Sequence, residues 1–135
     1  MLLNVEYHQS NHAEKRAPIV LIHGLFGSLS NLGMLARTLQ QSYDIVQIDV
    51  RNHGKSAHSS ELNYPLMATD IVETLDHLNI DQFSVIGHSM GGKIAMLLTA
   101  IAPQRLQQLV VLDMAPFAYQ EHHHDQIFQA LFAVE

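Results

Sequence analysis

Four stretches built around consecutive apolar residues punctuate the chain: APIVLIHG (17–24), YDIVQIDV (43–50), QFSVIGHS (82–89) and LQQLVVLDM (106–114). None of them alternates apolar with polar positions, so each reads as a strand covered on both faces, the environment of a parallel sheet. A weaker fifth run, LLNVEY, opens the chain. Between the runs the apolar positions change to helical spacing. Leu32, Leu35, Ala36 and Leu39 share one face of a first helix; Met67, Ile71, Leu75 and Leu78 share a face of a second, with Asp70, Glu73 and Asp76 turned outward. Pro65 falls where a first helical turn tolerates it. A third helix is predicted to start at the turn around residue 89, bury Ile94, Leu97, Leu98 and Ile101, and stop before Pro103. Strands alternating with helices make this an α/β domain with right-handed crossovers and a ligand site at the carboxyl ends of the strands.

Composition narrows the classes of function. With 135 residues, 47% of them hydrophobic and 15% charged, the chain has the means to build a core and is not of disordered type. The net charge of −6, without a basic run, argues against nucleic acid as a partner. The absence of cysteine removes disulfides, thiolate zinc sites and thiol nucleophiles together. No apolar run approaches the roughly 20 residues of a membrane span, and the first residues lack a basic flank and apolar core, so a cytoplasmic location is expected.

The chemistry gathers where strands end. Gly87-His88-Ser89-Met90-Gly91 places a serine between two glycines after a predicted strand and before a predicted helix. The chain's own glycine and serine content gives such a pattern by chance roughly 0.02 times. In a nucleophile elbow a side chain at 87 or 91 would clash with neighbouring chain, and the tight turn lifts the serine Oγ clear of the sheet. The helix that follows turns its free N–H groups toward charge developing above Ser89. Two backbone donors are needed for an oxyanion: Met90 is one, and Leu25 in HGLFGS (23–28) is the other, with Phe26 next in line and Gly24 allowing the sharp turn.

The segments HGLFGS (23–28), DVRNHGKS (49–56), GHSMGG (87–92) and LDMAPF (112–117), in that order, resemble the α/β-hydrolase superfamily, and more narrowly the YbfF-type bacterial esterases and their mitochondrial relatives. The resemblance covers nearly all of residues 17–135 but corresponds to only the first half of such an enzyme. It implies a mostly parallel sheet with flanking helices, of which about five of the usual eight strands are visible here. Residues 1–135 would be the N-terminal part of one domain, with a cap region starting near 120–135. The resemblance also implies that the triad acid follows the strand after the nucleophile helix, at Asp113, where it would orient a histidine; a strand-end aspartate capping the next segment is the other reading.

The histidine is harder to place. Family order sets it after the acid, and only His122, His123 and His124 follow Asp113, in a segment that resembles the start of the cap. As adjacent side chains they diverge and make a poor metal site. His88 is expected to pack beneath the serine turn, and His23 and His53 to hold loops by hydrogen bonds. Arg51 and Lys55 are candidates for an anionic portion of a substrate. The strand 106–114 would be left with a bare edge able to pair with another chain, and Ile127, Phe128, Leu131 and Phe132 would lack a partner. The expectation is a serine hydrolase of carboxylic esters or acyl thioesters such as acyl-CoA, needing no metal or organic cofactor, with its base histidine outside these residues. A non-catalytic ligand-binding domain on the same fold, or a lactonase or carbon–carbon bond hydrolase, stands as the alternative.

Overall fold

The computed structural model describes residues 1–12, 14 and 16–112. The apolar runs become strands β1 (Val5–His8), β2 (Ile19–Ile22), β3 (Ile45–Ile48), β4 (Phe83–His88) and β5 (Leu106–Leu112). Helices α1 (Gly33–Leu39), α2 (Tyr64–His77) and α3 (Met90–Ile101) lie between them, and a 3-10 turn at Leu29–Leu32 precedes α1. The five strands form one sheet in the order β1-β3-β2-β4-β5. Only β1 runs antiparallel to its neighbour; the other pairs are parallel.

Burial explains why the central strands carry continuous apolar runs. Every residue of β2 and β3 is buried, and successive side chains serve opposite faces. Val20 and Ile22 join Val46, Ile48 and Val85 beneath Ile71, Leu75, Ile94 and Leu98 of α2 and α3. Ile19, Leu21 and Ile45 pack on the other face with Leu32 and Ala36, beside α1. Two apolar layers therefore clamp the sheet, as its parallel strands require. At the head of α2 the Asn63 side chain accepts the Leu66 N–H at 2.9 Å, and Pro65 occupies the first turn.

Three details depart from the pattern-based expectation. Asp70 does not face outward with Glu73 and Asp76: it is 1% exposed, because a cation from a distant loop meets it inside. Ile101 is 51% exposed rather than buried, since it ends α3 and the adjoining core position goes to Ala102. The faces of β5 are only partly covered, with Gln107, Gln108 and Val111 exposed. Asp113, the 122–124 histidines and the expected cap segment lie outside the described residues.

Candidate functional site

The strand order locates a crevice. From β2 the chain leaves through α1 to β3 on one side; from β4 it leaves through α3 to β5 on the other. Loops departing in opposite directions from neighbouring parallel strands open a gap at their carboxyl ends, where open α/β sheets bind ligands. The pairing of Ile22 with Gly87 brings residues 23–25 level with residues 88–89, across one strand spacing of about 4.8 Å.

Ser89 stands at this gap. It caps α3 with φ 56° and ψ −112°, a left-handed conformation that costs a non-glycine residue about 1–3 kcal/mol. Its side chain is exposed, while Met90, Gly91 and Gly92 after it are buried. The Ser89 N–H donates to the Leu112 carbonyl at 3.0 Å, and the Ser89 carbonyl accepts from Gly92 at 2.9 Å. The flanking glycines are required by approach. A Cβ on Gly87 would run into the Gly91 carbonyl group, and one on Gly91 into the carbonyl oxygens of Ile22 and His23. The helix thus begins directly against the end of β2. Met90 and Gly91 sit where amides have no carbonyl behind them within a helix.

The loop leaving β2 forms the facing wall. Gly27 donates its N–H to the Gly24 carbonyl at 3.1 Å, closing a turn whose third residue, Phe26, has φ 62°. A negative φ followed by a positive one is the type II pattern. Leu25 and Phe26 are exposed, Phe26 to 92%. His23 is buried and fully engaged: its Nε2 accepts the Val50 N–H at 3.1 Å, so the proton rides on Nδ1, which donates to the Gly24 carbonyl at 2.7 Å. Burial holds the His23 pKa below the ordinary histidine range, against an opposing push from the Gly24 hydrogen bond. The Gly24 oxygen is therefore held twice, and because the peptide is planar and trans, the Leu25 N–H must point the opposite way. Gly24 itself is pressed on by His88, whose Nδ1 would lie 2.9 Å from an added Cβ.

The segment after β3 braces this wall. Asp49, 2% exposed, accepts the Leu29 N–H at 2.7 Å, the Asn4 side-chain amide at 2.9 Å and the Lys55 N–H at 3.0 Å. Burial pushes its pKa up, but these hydrogen bonds outweigh burial and leave it below the usual carboxylate value. Ser56 donates its hydroxyl to the Asp49 carbonyl, and His53 bonds the Arg51 carbonyl through Nδ1 at 2.8 Å. Pattern reading missed Asp49 as an individual; the signal was the spacing to Gly54, whose φ of 52° and lack of Cβ let the loop lie on the carboxylate.

Arg51 is not available to a substrate. Its Nε and Nη2 donate to the two Asp70 oxygens at 2.8 and 2.9 Å, and its Nη1 to the Glu61 carbonyl at 3.0 Å. The chain's amino terminus also approaches Asp70, at 3.2 Å. Lys55 remains exposed. Among the described residues no cluster of side chains is disposed to hold a metal, and no helix is long and apolar enough to cross a membrane.

Comparison with known proteins agrees with this architecture. Esterase YbfF of Escherichia coli is 51% identical over 134 residues, covering 99% of this chain and 53% of the relative. The sn-1-specific diacylglycerol lipase ABHD11 of Danio rerio is 40% identical over 122 residues, 89% of this chain and 38% of that protein. A marine microorganism esterase of known structure superposes with a TM-score of 0.77 at 34% identity, over 99% of this chain and 52% of its own. The chain thus spans about half the length of the two esterases and less of the lipase. With residues 17–132 matching the family profile described as alpha/beta hydrolase fold, the chain belongs to the α/β-hydrolase fold family.

Proposed function

We propose that the protein containing this chain is a serine hydrolase that cleaves carboxylic esters or acyl thioesters through an acyl-enzyme. The observation that carries the reading is the exposed Ser89 at a strained, left-handed position on the head of α3, with glycines wherever a Cβ would collide. A turn that costs conformational energy and exposes one hydroxyl above a parallel sheet is what an acyl-transfer nucleophile needs. The names of the relatives, an esterase and a diacylglycerol lipase, support ester hydrolysis as the activity.

In the proposed mechanism Ser89 Oγ attacks the acyl carbon while a histidine takes its proton. The resulting oxyanion is held by the N–H groups of Met90 and Leu25. The C–O or C–S bond then breaks, the leaving group takes the proton from the histidine, and the acyl group stays on Ser89. Water, deprotonated by the same histidine, releases the acid and restores the serine hydroxyl. His23 is unsuited to the base's role, since both of its nitrogens are committed to backbone. The base is assigned to a histidine beyond residue 135, oriented by Asp113, and residues 1–135 alone are accordingly expected to be inactive. Ser89→Ala in the full-length protein should reduce hydrolysis of p-nitrophenyl butyrate and of butyryl thioesters at least about a thousandfold; unchanged hydrolysis would sink the reading.

A further inference from the structure

Leu25 and Phe26 are exposed, so the facing loop is held by its own Gly24–Gly27 turn, by the Ser28 N–H on Asn31 and by the anchors at its two ends. Both ends are held by consecutive residues after β3. At the near end Val50 N–H fixes His23, and His23 fixes the Gly24 carbonyl. At the far end the Asp49 carboxylate takes the Leu29 N–H directly. Asp49 is itself tied to two other segments, through the Asn4 side chain and the Lys55 N–H, so it does not yield when the loop is loaded. A buried carboxylate with three charge-assisted donors from three parts of the chain is a rigid fixed point.

We propose that Asp49 is a positioning residue for the oxyanion-binding loop, holding the Leu25 N–H on target through Leu29; this rests on the acyl-transfer reading above. Asp49 touches no substrate. Its effect is on the fit of one donor to the tetrahedral state, where an error of about 1 Å costs up to a hundredfold in rate.

The test uses two variants of the full-length protein. Asp49→Asn keeps the shape but turns an NH2 group toward donors. Leu29→Pro removes the donor together with a buried leucine side chain, and Leu29→Ala, which loses the side chain but keeps the N–H, is its control. Position 29 opens the 3-10 turn, and Ser28 is already extended (φ −153°, ψ 176°), as a residue before proline must be. At temperatures well below each variant's unfolding midpoint, kcat and KM are measured with p-nitrophenyl butyrate. Affinity is measured for an aryl trifluoromethyl ketone, whose adduct with a serine carries the oxyanion. Both variants should lose about ten- to a hundredfold in kcat with KM within about twofold, and should bind the ketone more weakly by a similar factor. Undiminished kcat and ketone affinity in a folded variant, with only a lower unfolding midpoint, would overturn the proposal while leaving Ser89-dependent turnover intact. Hydrolysis surviving Ser89→Ala would remove the acyl-transfer reading, and the proposal with it. Should Asp49→Asn fail to fold, Leu29→Pro against Leu29→Ala decides: equal kcat in the two would overturn the proposal.

Discussion

The Arg51–Asp70 pair permits a quantitative prediction. Arg51 is 7% exposed and Asp70 1%, joined by two parallel N–H···O bonds at 2.8 and 2.9 Å. Asp70→Ala strands a guanidinium in a dry site with only the Glu61 carbonyl left to accept from it. Two charge-assisted hydrogen bonds at about 1.5–3 kcal/mol each, and the measured range for breaking buried pairs, agree on a loss of about 3–5 kcal/mol. Replacing both partners with apolar residues, Arg51→Met with Asp70→Leu, removes the desolvation cost along with the attraction. The double variant should therefore lie close to the parent in stability, or above it. Urea denaturation of the full-length protein, followed by far-ultraviolet circular dichroism, reads the difference. At a slope near 2 kcal/mol per molar, Asp70→Ala lowers the midpoint by about 2 M and the double substitution leaves it nearly unmoved. The amino terminus, 3.2 Å from Asp70, loses that contact in both variants but keeps Glu73 at 2.8 Å. Losses that simply add, or an Asp70→Ala cost under about 1 kcal/mol, would refute the account of a buried, mutually satisfied pair. The same double variant checks the displaced role of Arg51. KM for an anionic acyl thioester should rise no more than KM for a neutral ester, and a selective rise would restore a substrate contact to Arg51.

Two further outcomes follow from the wall and the elbow. Because burial depresses the pKa of His23, the unfolded chain takes up that proton first as pH falls below about 6.5, so stability from this group is complete above that pH and declines below it until the folded pKa is reached. Midpoints measured from pH 7.5 downward should show this limb, and His23→Gln should lack it; identical pH profiles would contradict the assignment. Gly91→Ala should cost about 1–3 kcal/mol and at least about tenfold in kcat, since the new methyl meets backbone oxygens of β2 that have nowhere to go. Gly33→Ala is the control, as its Cβ would meet only the flexible end of Arg37 at 3.6 Å; equal effects at the two positions would argue against a steric role for Gly91.

What could be read from the chain beforehand divides along a physical line. The central strands were legible because parallel strands covered on both faces write nearly continuous apolar runs, and β2 and β3 are buried throughout, Gln47 of β3 being satisfied by the Leu29 carbonyl. The serine turn was legible because part of its constraint is local, Gly87 lying against Gly91, although the contact of Gly91 with the carbonyls of Ile22 and His23 is made only by folding. Asp70 was misread because helical periodicity reports only which stripe a residue occupies, and its partner arrives from the loop after β3. Asp49 was passed over for the same reason, its donors at positions 4, 29 and 55 being joined only by folding. Arg51 illustrates the converse error, a cation given to a hypothetical ligand when the chain had already neutralised it.

The hydrogen bond from the Ser89 amide to the carbonyl of Leu112 has a bearing on how the protein is made. The serine turn is encoded between β4 and α3, yet one of its anchors is Leu112, at the end of the following strand. During synthesis the serine leaves the ribosome well before that anchor, with α3 between them. Until β5 zips onto β4 in register, the strained backbone at 89 has less to hold it and is free to relax to ordinary angles. The strand made last thus supplies one of the bonds that hold the serine turn, and the turn has its full set of anchors only once β5 has docked.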